Sequence, residues 1–486
     1  MLFNSLEFLL FLPITFLLYW LIPHKARYLL LLAASYFFYM YWNPRLVFLI
    51  LFTTVVSYLA GILLDRYAER EKLRKLILAL TLVSCLSVLL FFKYFNFLYD
   101  AVFDLIALFG GGKAPGFFEI LLPVGISFYT FQTASYVIDV YKKTEPCEKH
   151  FGYYALFVIF FPQLVAGPIE RPGALLPQLK QKGHIRSLDY SGAFRYMLLG
   201  FFKKIAVADA VGILVNAVYE APTEAGGFSS LVATVLFAIQ IFCDFSGYSD
   251  IAKGTAKLFG VELTENFEAP YTAQSIKEFW NRWHLSLSRW LRDYLYFPLG
   301  GSRCSAFRRS LNIMIVFFVS GLWHGASYNF VIWGLLHGLF QVIGIYTLPL
   351  RDRFWARLGK DTQSRLVKAL RTVGTFSLVL LTWVFFRAAT PADALTVFSN
   401  IFTNWHFTLD FFRSECELMS LSLPMAIYLA AALALLPMAE KLKGKEKPST
   451  EGYRFLLYVI LALCTVGVWI WLGAMDVGSS FIYFQF

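Results

Sequence analysis

Long apolar stretches separated by short polar loops run through the sequence almost from end to end. A helix needs about 20 mainly apolar residues to cross a bilayer. Some of the stretches are short, so neighbours can merge or enter the membrane without crossing it, and we predict about ten to twelve spans. The pattern therefore predicts an all-α integral membrane protein. The candidate spans are Leu6–Ile22, Tyr28–Trp42, Leu46–Leu64, Leu76–Phe95, Tyr154–Ala166, Phe194–Val218, Ser230–Phe245, Leu311–Trp323, Tyr328–Leu348, Val373–Phe386, Leu423–Met438 and Phe455–Leu472.

The middle third of the chain departs from this pattern. From about residue 116 to 186 and from 262 to 309, the apolar stretches are short and interrupted by Pro, Gly and charged residues. Irregular polar backbone is tolerated at membrane depth only where it is buried in protein or lines a cavity. We therefore expect short re-entrant and interfacial helices there, with the functional site among them. Because no internal repeat is visible and most other loops are short, residues 1–486 are predicted to form a single domain.

Composition agrees with a membrane protein, since 58% of residues are hydrophobic and only 15% are charged. Soluble proteins carry about 25% charged residues. The net charge of +11 could suggest nucleic-acid binding, but the basic residues form short clusters between apolar runs, near residues 25–27, 66–75, 303–309 and 441–447. Lys and Arg mark cytoplasmic loops in this way and attract anionic lipids, so the first two clusters place the N-terminus outside. Membrane lipids, and not nucleic acids, are the expected partners.

His324 ends the apolar run Leu311–Trp323 and lies between Gly321 and Gly325. An ionisable residue in a membrane segment is costly and suggests a functional site. An imidazole can accept a hydroxyl proton near neutral pH, which suits acyl transfer. The glycines leave room for a chain or a ligand to approach closely. The alternative is a histidine that hydrogen-bonds neighbouring helices together. His337 is expected to be a packing residue or to support the site from behind.

A dense polar segment runs from Lys277 to Arg303. At helical spacing, Trp280, His284 and Ser288 share one face, because residues four apart are neighbours. An interfacial amphipathic helix explains the Trp and Arg residues of this segment but does not require an imidazole on its apolar side. His284 is therefore the second candidate for a functional role.

Two carboxylates, Asp244 and Asp250, fall within or next to an apolar run. They could handle protons, as in a transporter, or orient neighbouring hydroxyls and arginines, and the second interpretation is favoured. Arg303, Arg308 and Arg309 could bind the phosphates of a cytosolic donor, or could simply follow the positive-inside rule. The sequence contains no zinc helix, phosphate loop, nucleophile elbow or dinucleotide fingerprint, and its six cysteines lack metal-binding spacing. No bound metal or cofactor is expected.

The segment Arg282-Trp-His-Leu-Ser-Leu-Ser288 and the residues 292–303 that follow it resemble the membrane-bound O-acyltransferase superfamily. The likeness is greater to the branch of alginate and other polysaccharide O-acetyltransferases. It extends over nearly the whole chain, through six further motifs: Leu122–Gln132, Phe161–Ile169, Asp244–Asp250, Gly321–Gly325, Trp383–Arg387 and Phe481–Phe486.

This resemblance implies membrane helices arranged around a central tunnel, in the inner membrane of a bacterium. His324 matches the catalytic histidine of the family, the general base, and His284 matches its second buried histidine. The donor would be acetyl-CoA or another acetyl thioester on the cytosolic side. The acceptor would be an extracytoplasmic polysaccharide or a partner acetyltransferase of the SGNH type. D-alanyl transfer to teichoic acid and a non-catalytic acyl conduit or transporter remain the alternatives. The expected substrate-binding residues are Trp280, Arg282, Trp283, Ser288, Asp244, Trp323 and Asn329.

Overall fold

The computed structural model describes residues 1–110, 116, 118, 120–359, 361, 363–443, 451–474 and 481. Residues 444–447 of the last basic cluster and residues 482–486 of the C-terminal motif lie outside the described residues. The described part of the chain is built of helices, with no β-strand. Its contacts divide it into two compact units, Met1–Met197 with Ile251–Thr264, and Leu198–Asp250 with Glu265–Phe486. The single-domain organisation and the central tunnel stay predictions.

The first unit is formed mainly by eight helices, together with the beginning of α9 and the end of α11. These helices are α1 (Leu6–Leu21), α2 (His24–Met40), α3 (Val47–Arg66), α4 (Glu71–Leu89), α5 (Phe95–Leu108), α6 (Ile126–Lys142), α7 (Phe151–Ile159), α8 (Pro172–Lys180), α9 (Tyr190–Phe201) and α11 (Gly227–Leu258).

Two short helices and an irregular segment replace the predicted span Tyr154–Ala166. Helix α7 ends at Ile159, a buried irregular segment follows, and α8 begins at Pro172. Proline and glycine in Phe161–Ile169 explain the break, because proline lacks an amide hydrogen and clashes with the preceding helical turn. The prediction of a span is wrong at this position, and the middle region contains short, interrupted helices as expected. Their re-entrant placement in the membrane stays a prediction.

The two N-terminal basic clusters lie at the same end of the first unit. The cluster at residues 24–27, in the first turn of α2, contacts residues 181–183, and the cluster at 65–75, where α3 ends and α4 begins, contacts residues 141–149. This arrangement agrees with the placement of both clusters on one side of the membrane, which the positive-inside rule assigns to the cytoplasm. The connecting contacts are Arg27 to the Gly183 carbonyl at 3.1 Å, Lys180 to Glu148, and Lys149 to Asp65 at 3.5 Å.

The second unit contains the rest of α9 and α11 and the helices that form the candidate site. A π-helical segment, Phe202–Asp209, joins α9 to α10, and a second, Arg292–Tyr296, follows α13. The helices are α10 (Ala210–Tyr219), α12 (Ile276–Trp280), α13 (Leu285–Leu291), α14 (Ala306–His324), α15 (Tyr328–Arg357), α16 (Arg365–Arg387), α17 (Pro391–Thr403), α18 (Leu409–Leu418), α19 (Leu423–Glu440) and α20 (Glu451–Ala474).

Eight of the described helical segments are long and apolar enough to cross a membrane. Helix α1 is apolar but has only 16 residues. The structure therefore confirms the all-α multi-pass prediction, although length and hydropathy select fewer spans than the ten to twelve expected. The eight are Pro44–Arg66, Glu71–Leu108, Gly227–Leu258, Ala306–His324, Tyr328–Arg357, Arg365–Arg387, Leu423–Lys443 and Gly452–Ala474.

Close packing of α14 against α15 depends on small residues at their contact. A Cβ atom on Gly321 would lie 2.2 Å from the Phe330 carbonyl oxygen, and one on Gly334 would lie 2.3 Å from the Phe317 carbonyl oxygen. Glycine at membrane helix contacts lets the backbones approach in this way. Gly321 thus serves the approach of a neighbouring chain segment, one of the two uses predicted for it, and this contact fixes His324 at the end of α14.

Candidate active site

His284 occupies the junction of the two short helices α12 and α13. Helix α12 ends at Trp280, the chain turns, and α13 begins at Leu285 with His284 as its N-cap. His284 has φ 44° and ψ 57°, in the left-handed region that residues other than glycine adopt uncommonly. The predicted single helical face of Trp280, His284 and Ser288 is therefore wrong, because no continuous helix passes through residue 284. Strained backbone of this kind concentrates at functional sites.

The structure brings the two predicted catalytic histidines together. His324 is the last residue of α14, and its ring centroid lies 6.3 Å from that of His284. The exposed fractions are 0% for His284 and 3% for His324. Two buried imidazoles at this separation can act on the same small group, one from each side.

Aromatic rings surround this histidine pair. Trp323 packs against both imidazoles, with centroid distances of 5.5 Å to His284 and 5.0 Å to His324. Phe245 lies 4.7 Å from His284, and Trp333 lies 4.9 Å from His324. Apolar rings on several sides keep bulk water away from the imidazoles, and a reaction enclosed in this way is protected from hydrolysis.

The electrostatic state of His284 follows from its burial. His284 lies between α12 and α13, outside the eight spans. Burial disfavours the charged imidazolium and lowers the pKa of His284 to about 3. The imidazole is therefore neutral at neutral pH, with one nitrogen that can donate a hydrogen bond and one that can accept.

Both nitrogens of His337 are hydrogen-bonded. The indole Nε1–H of Trp280 donates to His337 Nδ1 at 3.2 Å. Since an indole nitrogen can only donate, Nδ1 must accept, and the proton of the neutral ring resides on Nε2. Nε2 lies 2.9 Å from the Thr382 hydroxyl oxygen and donates to it, while that hydroxyl donates to the Val379 carbonyl. His337 thus holds Trp280 in place, which agrees with the packing role predicted for it.

Three further residues predicted to bind substrate are buried near the histidine pair. Trp323 packs against both imidazoles. Trp283, with 0% of its surface exposed, packs against Trp383 at 5.2 Å. Asn329 donates from Nδ2 to the Ala388 carbonyl at 2.6 Å and so ties the start of α15 to the end of α16. Their contact with a substrate stays a prediction.

The side chains of Arg282 and Ser288 bind neighbouring parts of the chain. The Arg282 guanidinium binds Glu278 and the Thr272 hydroxyl, each at 2.6 Å, and is partly exposed. The Ser288 hydroxyl lies 3.4 Å from the Trp283 carbonyl, to which it donates. The substrate-binding roles predicted for both residues stay predictions.

Asp244 and Asp250 belong to a buried network of charges. Lys204 Nζ lies 2.7 Å from Asp244 and 2.7 Å from Asp209, and Lys203 Nζ lies 2.7 Å from Asp250. Lys443 also reaches Asp250, at 2.9 Å. The partners are lysines where arginines were expected. Buried charges in a membrane protein are paired in this way because an isolated one is very costly.

Sequence reasoning missed the two lysines of this network. Lys203 and Lys204 are 0% and 1% exposed and stand next to each other in the predicted span Phe194–Val218. Adjacent lysines inside an apolar run are the sequence signal that marks them, because each needs a buried carboxylate as a partner.

A polar cleft of about 440 Å³ opens where the ends of α10 and α16 meet the start of α17. Arg387 lines it and binds the Asn216 side chain at 2.7 Å. The preceding residue, Phe386, packs against His324 with a centroid distance of 5.4 Å. Two consecutive residues of α16 thus line the two places: Phe386 the histidine site and Arg387 the cleft. Its lining residues are Asn216, Tyr219, Glu220, Pro222, Arg387, Ala389 and Asp393.

Comparison with known proteins shows the family of this chain. The sequence model of the membrane-bound O-acyltransferase family matches residues 149–377, a range that includes both histidines. The chain is 40% identical over 407 residues to a "Probable alginate O-acetylase AlgI" of Pseudomonas aeruginosa, covering 83% of this chain and 75% of that protein. The chain belongs to the membrane-bound O-acyltransferase family.

Two further relatives define where the chain falls within the family. It is 33% identical over 438 residues to a peptidoglycan O-acetyltransferase of Helicobacter pylori, with 82% of this chain and 79% of that protein covered. It is 29% identical to a teichoic acid D-alanyltransferase of Streptococcus thermophilus over only 282 residues, which cover 54% of this chain and 68% of that protein. The similarity is thus greater and longer to the two acetylating relatives.

Proposed function

We propose that this protein transfers acetyl groups from a thioester donor to a hydroxyl acceptor, for O-acetylation of an extracytoplasmic polysaccharide. The observation that carries the proposal is the pair of buried imidazoles 6.3 Å apart in an aromatic enclosure. The relatives named as acetylating alginate or peptidoglycan support the choice of acetyl group and acceptor class.

His324 acts as the general base in the proposed reaction. Its imidazole takes the proton of the acceptor hydroxyl as the hydroxyl oxygen attacks the thioester carbonyl carbon. The C–O bond forms, the C–S bond breaks, and the departing thiolate receives the proton from His324. The products are an acetyl ester and a free thiol, and no proton is consumed overall.

His284 assists on the carbonyl side of the same group. A neutral imidazole donates a hydrogen bond through its N–H, and a donor aimed at the carbonyl oxygen stabilises the negative charge that develops there. The aromatic surroundings strengthen this interaction, because electrostatic effects are larger where water is excluded. His284 thus polarises the acetyl carbonyl while His324 activates the hydroxyl.

The donor and acceptor approach from opposite ends of the second unit. The basic residues near 303–309 and at the end of α19 indicate a cytoplasmic face, where acetyl-CoA or another acetyl thioester is available. The polar cleft lies where α16 ends, at Arg387, away from the basic residues at the beginning of α14, and we assign it to the acceptor. We place the protein in the bacterial inner membrane, among its lipids, with an SGNH-type acetyltransferase as a candidate recipient of the acetyl group.

D-alanyl transfer to teichoic acid is the second candidate, because a named D-alanyltransferase matches part of the chain. A non-catalytic conduit is the third. A proton-coupled transporter would need acidic groups that exchange protons, whereas Asp244 and Asp250 are held in ion pairs with buried lysines. The structure therefore favours the histidines over the carboxylates as the reacting groups.

The test is thioester consumption by the purified protein in liposomes, with acetyl-CoA or a D-alanyl thioester as donor and alginate oligomers as acceptor. We expect acetyl-CoA to release thiol and to form acetyl esters on the oligomer, with the D-alanyl donor much slower and His324→Ala inactive. Preference for the D-alanyl donor would replace acetyl transfer by the second candidate. Acyl movement without thioester cleavage would support the conduit.

A further inference from the structure

The first turn of α13 is capped in an unusual way. At α12, α14 and α16 the N-cap is a serine whose own hydroxyl accepts a hydrogen bond from the first turn of its helix. This is the ordinary arrangement, which satisfies amide groups that have no partner inside the helix. At α13 the N-cap is His284, whose imidazole makes no such bond.

Asn266 supplies the missing cap from a distant segment. Its backbone carbonyl accepts from the amide of Leu285 at 3.0 Å, and its Oδ1 accepts from the amide of Ser286 at 3.1 Å. These are the first two amides of α13, both without a partner inside the helix. Because the Ser286 amide must meet an oxygen, the orientation of the Asn266 amide group is fixed.

The segment that contains Asn266 also binds the chain on the N-terminal side of His284. The amide of Glu268 donates to the Arg282 carbonyl at 2.9 Å. The chain is thus fixed before and after His284 by residues 266 and 268. A left-handed conformation at a residue other than glycine persists only where its surroundings impose it, and these three bonds impose it here.

Burial shows that the contact is part of the core of the second unit. Asn266 and His284 are both 0% exposed. Since Asn266 satisfies the first turn of α13, the His284 side chain is released from capping and lies against Phe245 and Trp323, beside His324.

We infer that Asn266 is a positioning residue for the acyl-transfer site, which caps α13 in place of His284 and so directs the His284 imidazole to the reacting acetyl group. This inference rests on the proposed function for the reaction itself. The contact between Asn266 and α13 acts through His284, and Asn266 needs no contact with substrate.

The experiment compares Asn266→Ala and Asn266→Asp with the matched control Asn312→Ala. Asn312 is also 0% exposed and binds the Leu299 and Gly301 carbonyls, so its loss tests the general effect of removing a buried asparagine. We expect Asn266→Ala to lower kcat by about 10- to 100-fold at an unchanged KM for the thioester, because a small displacement of a reacting group has effects of this size. Asn266→Asp keeps an acceptor oxygen for Ser286 and recovers most of kcat. Asn312→Ala keeps kcat within about threefold.

A second measurement, the nitrogen NMR signals of the His284 ring in labelled protein, reads the position of His284 without any activity. We expect them to shift in Asn266→Ala, to return toward the original values in Asn266→Asp, and to stay unchanged in Asn312→Ala. Unchanged His284 signals and unchanged kcat in folded Asn266→Ala would overturn the inference, as would Asn266→Asp behaving no better than Asn266→Ala. Absence of acetyl transfer in the unmodified protein overturns the proposed function instead, and the ring signals then still decide whether Asn266 positions His284.

Discussion

Three buried histidines of the second unit have different surroundings, which suit a structural role for His337 and a chemical role for His284 and His324. His337 accepts from Trp280 and donates to Thr382, so its ring is fixed as a hydrogen-bond bridge between helices. His284 and His324 instead lie ring to ring inside an aromatic wall. Two groups that act on one substrate group must lie close together, and the 6.3 Å between these two rings meets this requirement.

Replacing His337 by alanine is expected to destabilise the protein without removing the chemistry. The indole N–H of Trp280 and the hydroxyl of Thr382 would lose their buried partner, which costs about 1–3 kcal/mol per unsatisfied group. Thermal unfolding in detergent should show a lower midpoint for His337→Ala. At a temperature where the variant is folded, kcat should fall much less than in His324→Ala. A complete loss of turnover in a folded His337→Ala protein would contradict this division of roles.

Prediction at the residue scale succeeded where a residue type was out of place in the sequence. A histidine at the end of an apolar run suggests a functional role, because burying an ionisable group in a membrane segment is costly. His324 is indeed buried beside His284, as a shared site requires. The geometry around His284 could not be predicted, because its left-handed backbone depends on Asn266, which is distant in sequence. Spacing rules describe continuous helices and do not register such a tertiary cap.

At the scale of elements, polar side chains from distant parts of the chain fix the positions of helices. Glu415, in α18, is 5% exposed and caps the long helix α11. Its carboxylate accepts from the amides of Gly226 and Ser229, at 2.9 and 3.0 Å, and from the Ser229 hydroxyl at 2.7 Å. A negative charge at a helix N-terminus is favourable, because it meets free amides and the positive end of the helix dipole.

Glu415→Ala should therefore lower the free energy of unfolding by about 1.5–3 kcal/mol, since hydrogen bonds to a charged group are lost. The matched control is Glu417→Ala in the same helix. Glu417 is exposed, and its ion pair with Arg413, at 4.0 Å, lies on the surface and contributes little. The measurement is the thermal midpoint in detergent. Equal midpoints for the two variants would show that the buried cap contributes nothing.

Because the ion pairs are buried, we expect the effect on stability of replacing one partner to depend strongly on whether the other is present. Lys204→Met should leave Asp244 and Asp209 without their shared cation, which costs about 3–5 kcal/mol when a buried pair is broken. Adding Asp244→Asn removes one of the stranded charges and should recover part of the stability. Folded yield and thermal midpoint measure both effects. A double variant less stable than Lys204→Met alone would show that the lysine and the carboxylate do not compensate each other.

Across the whole molecule, hydropathy was sufficient to predict the all-α multi-pass architecture. It failed between Tyr154 and Ala166, where proline and glycine end α7 at Ile159 although the segment remains apolar. An apolar composition indicates only that residues are buried, and a short segment enclosed by protein can be as apolar as a membrane span. Such buried segments and true spans differ in their length and in their helix-breaking residues.

The family resemblance supplied what hydropathy could not, namely which buried histidines share a site. It rests on the polar segment around His284 and the short motif around His324, and the structure brings these two regions together. The adjacent lysines Lys203 and Lys204 are visible in the sequence as a buried pair that needs carboxylate partners, but which carboxylates they bind is known only from the folded chain. The role of Asn266 could not be predicted, because it depends on contacts with a distant segment.

The central claim is that His324 is the base for acetyl transfer, and one comparison tests it most directly. The measurement is the acetyl content of the cell-surface polysaccharide in cells that carry the intact protein, His324→Ala, or the control His184→Ala, an exposed histidine replaced in the same way. Membrane levels of the three proteins are matched first. We predict that His324→Ala lowers acetylation by about 100-fold or more, the contribution of a general base, while His184→Ala leaves it unchanged. Acetylation that persists in a His324→Ala protein present at normal level would contradict the account.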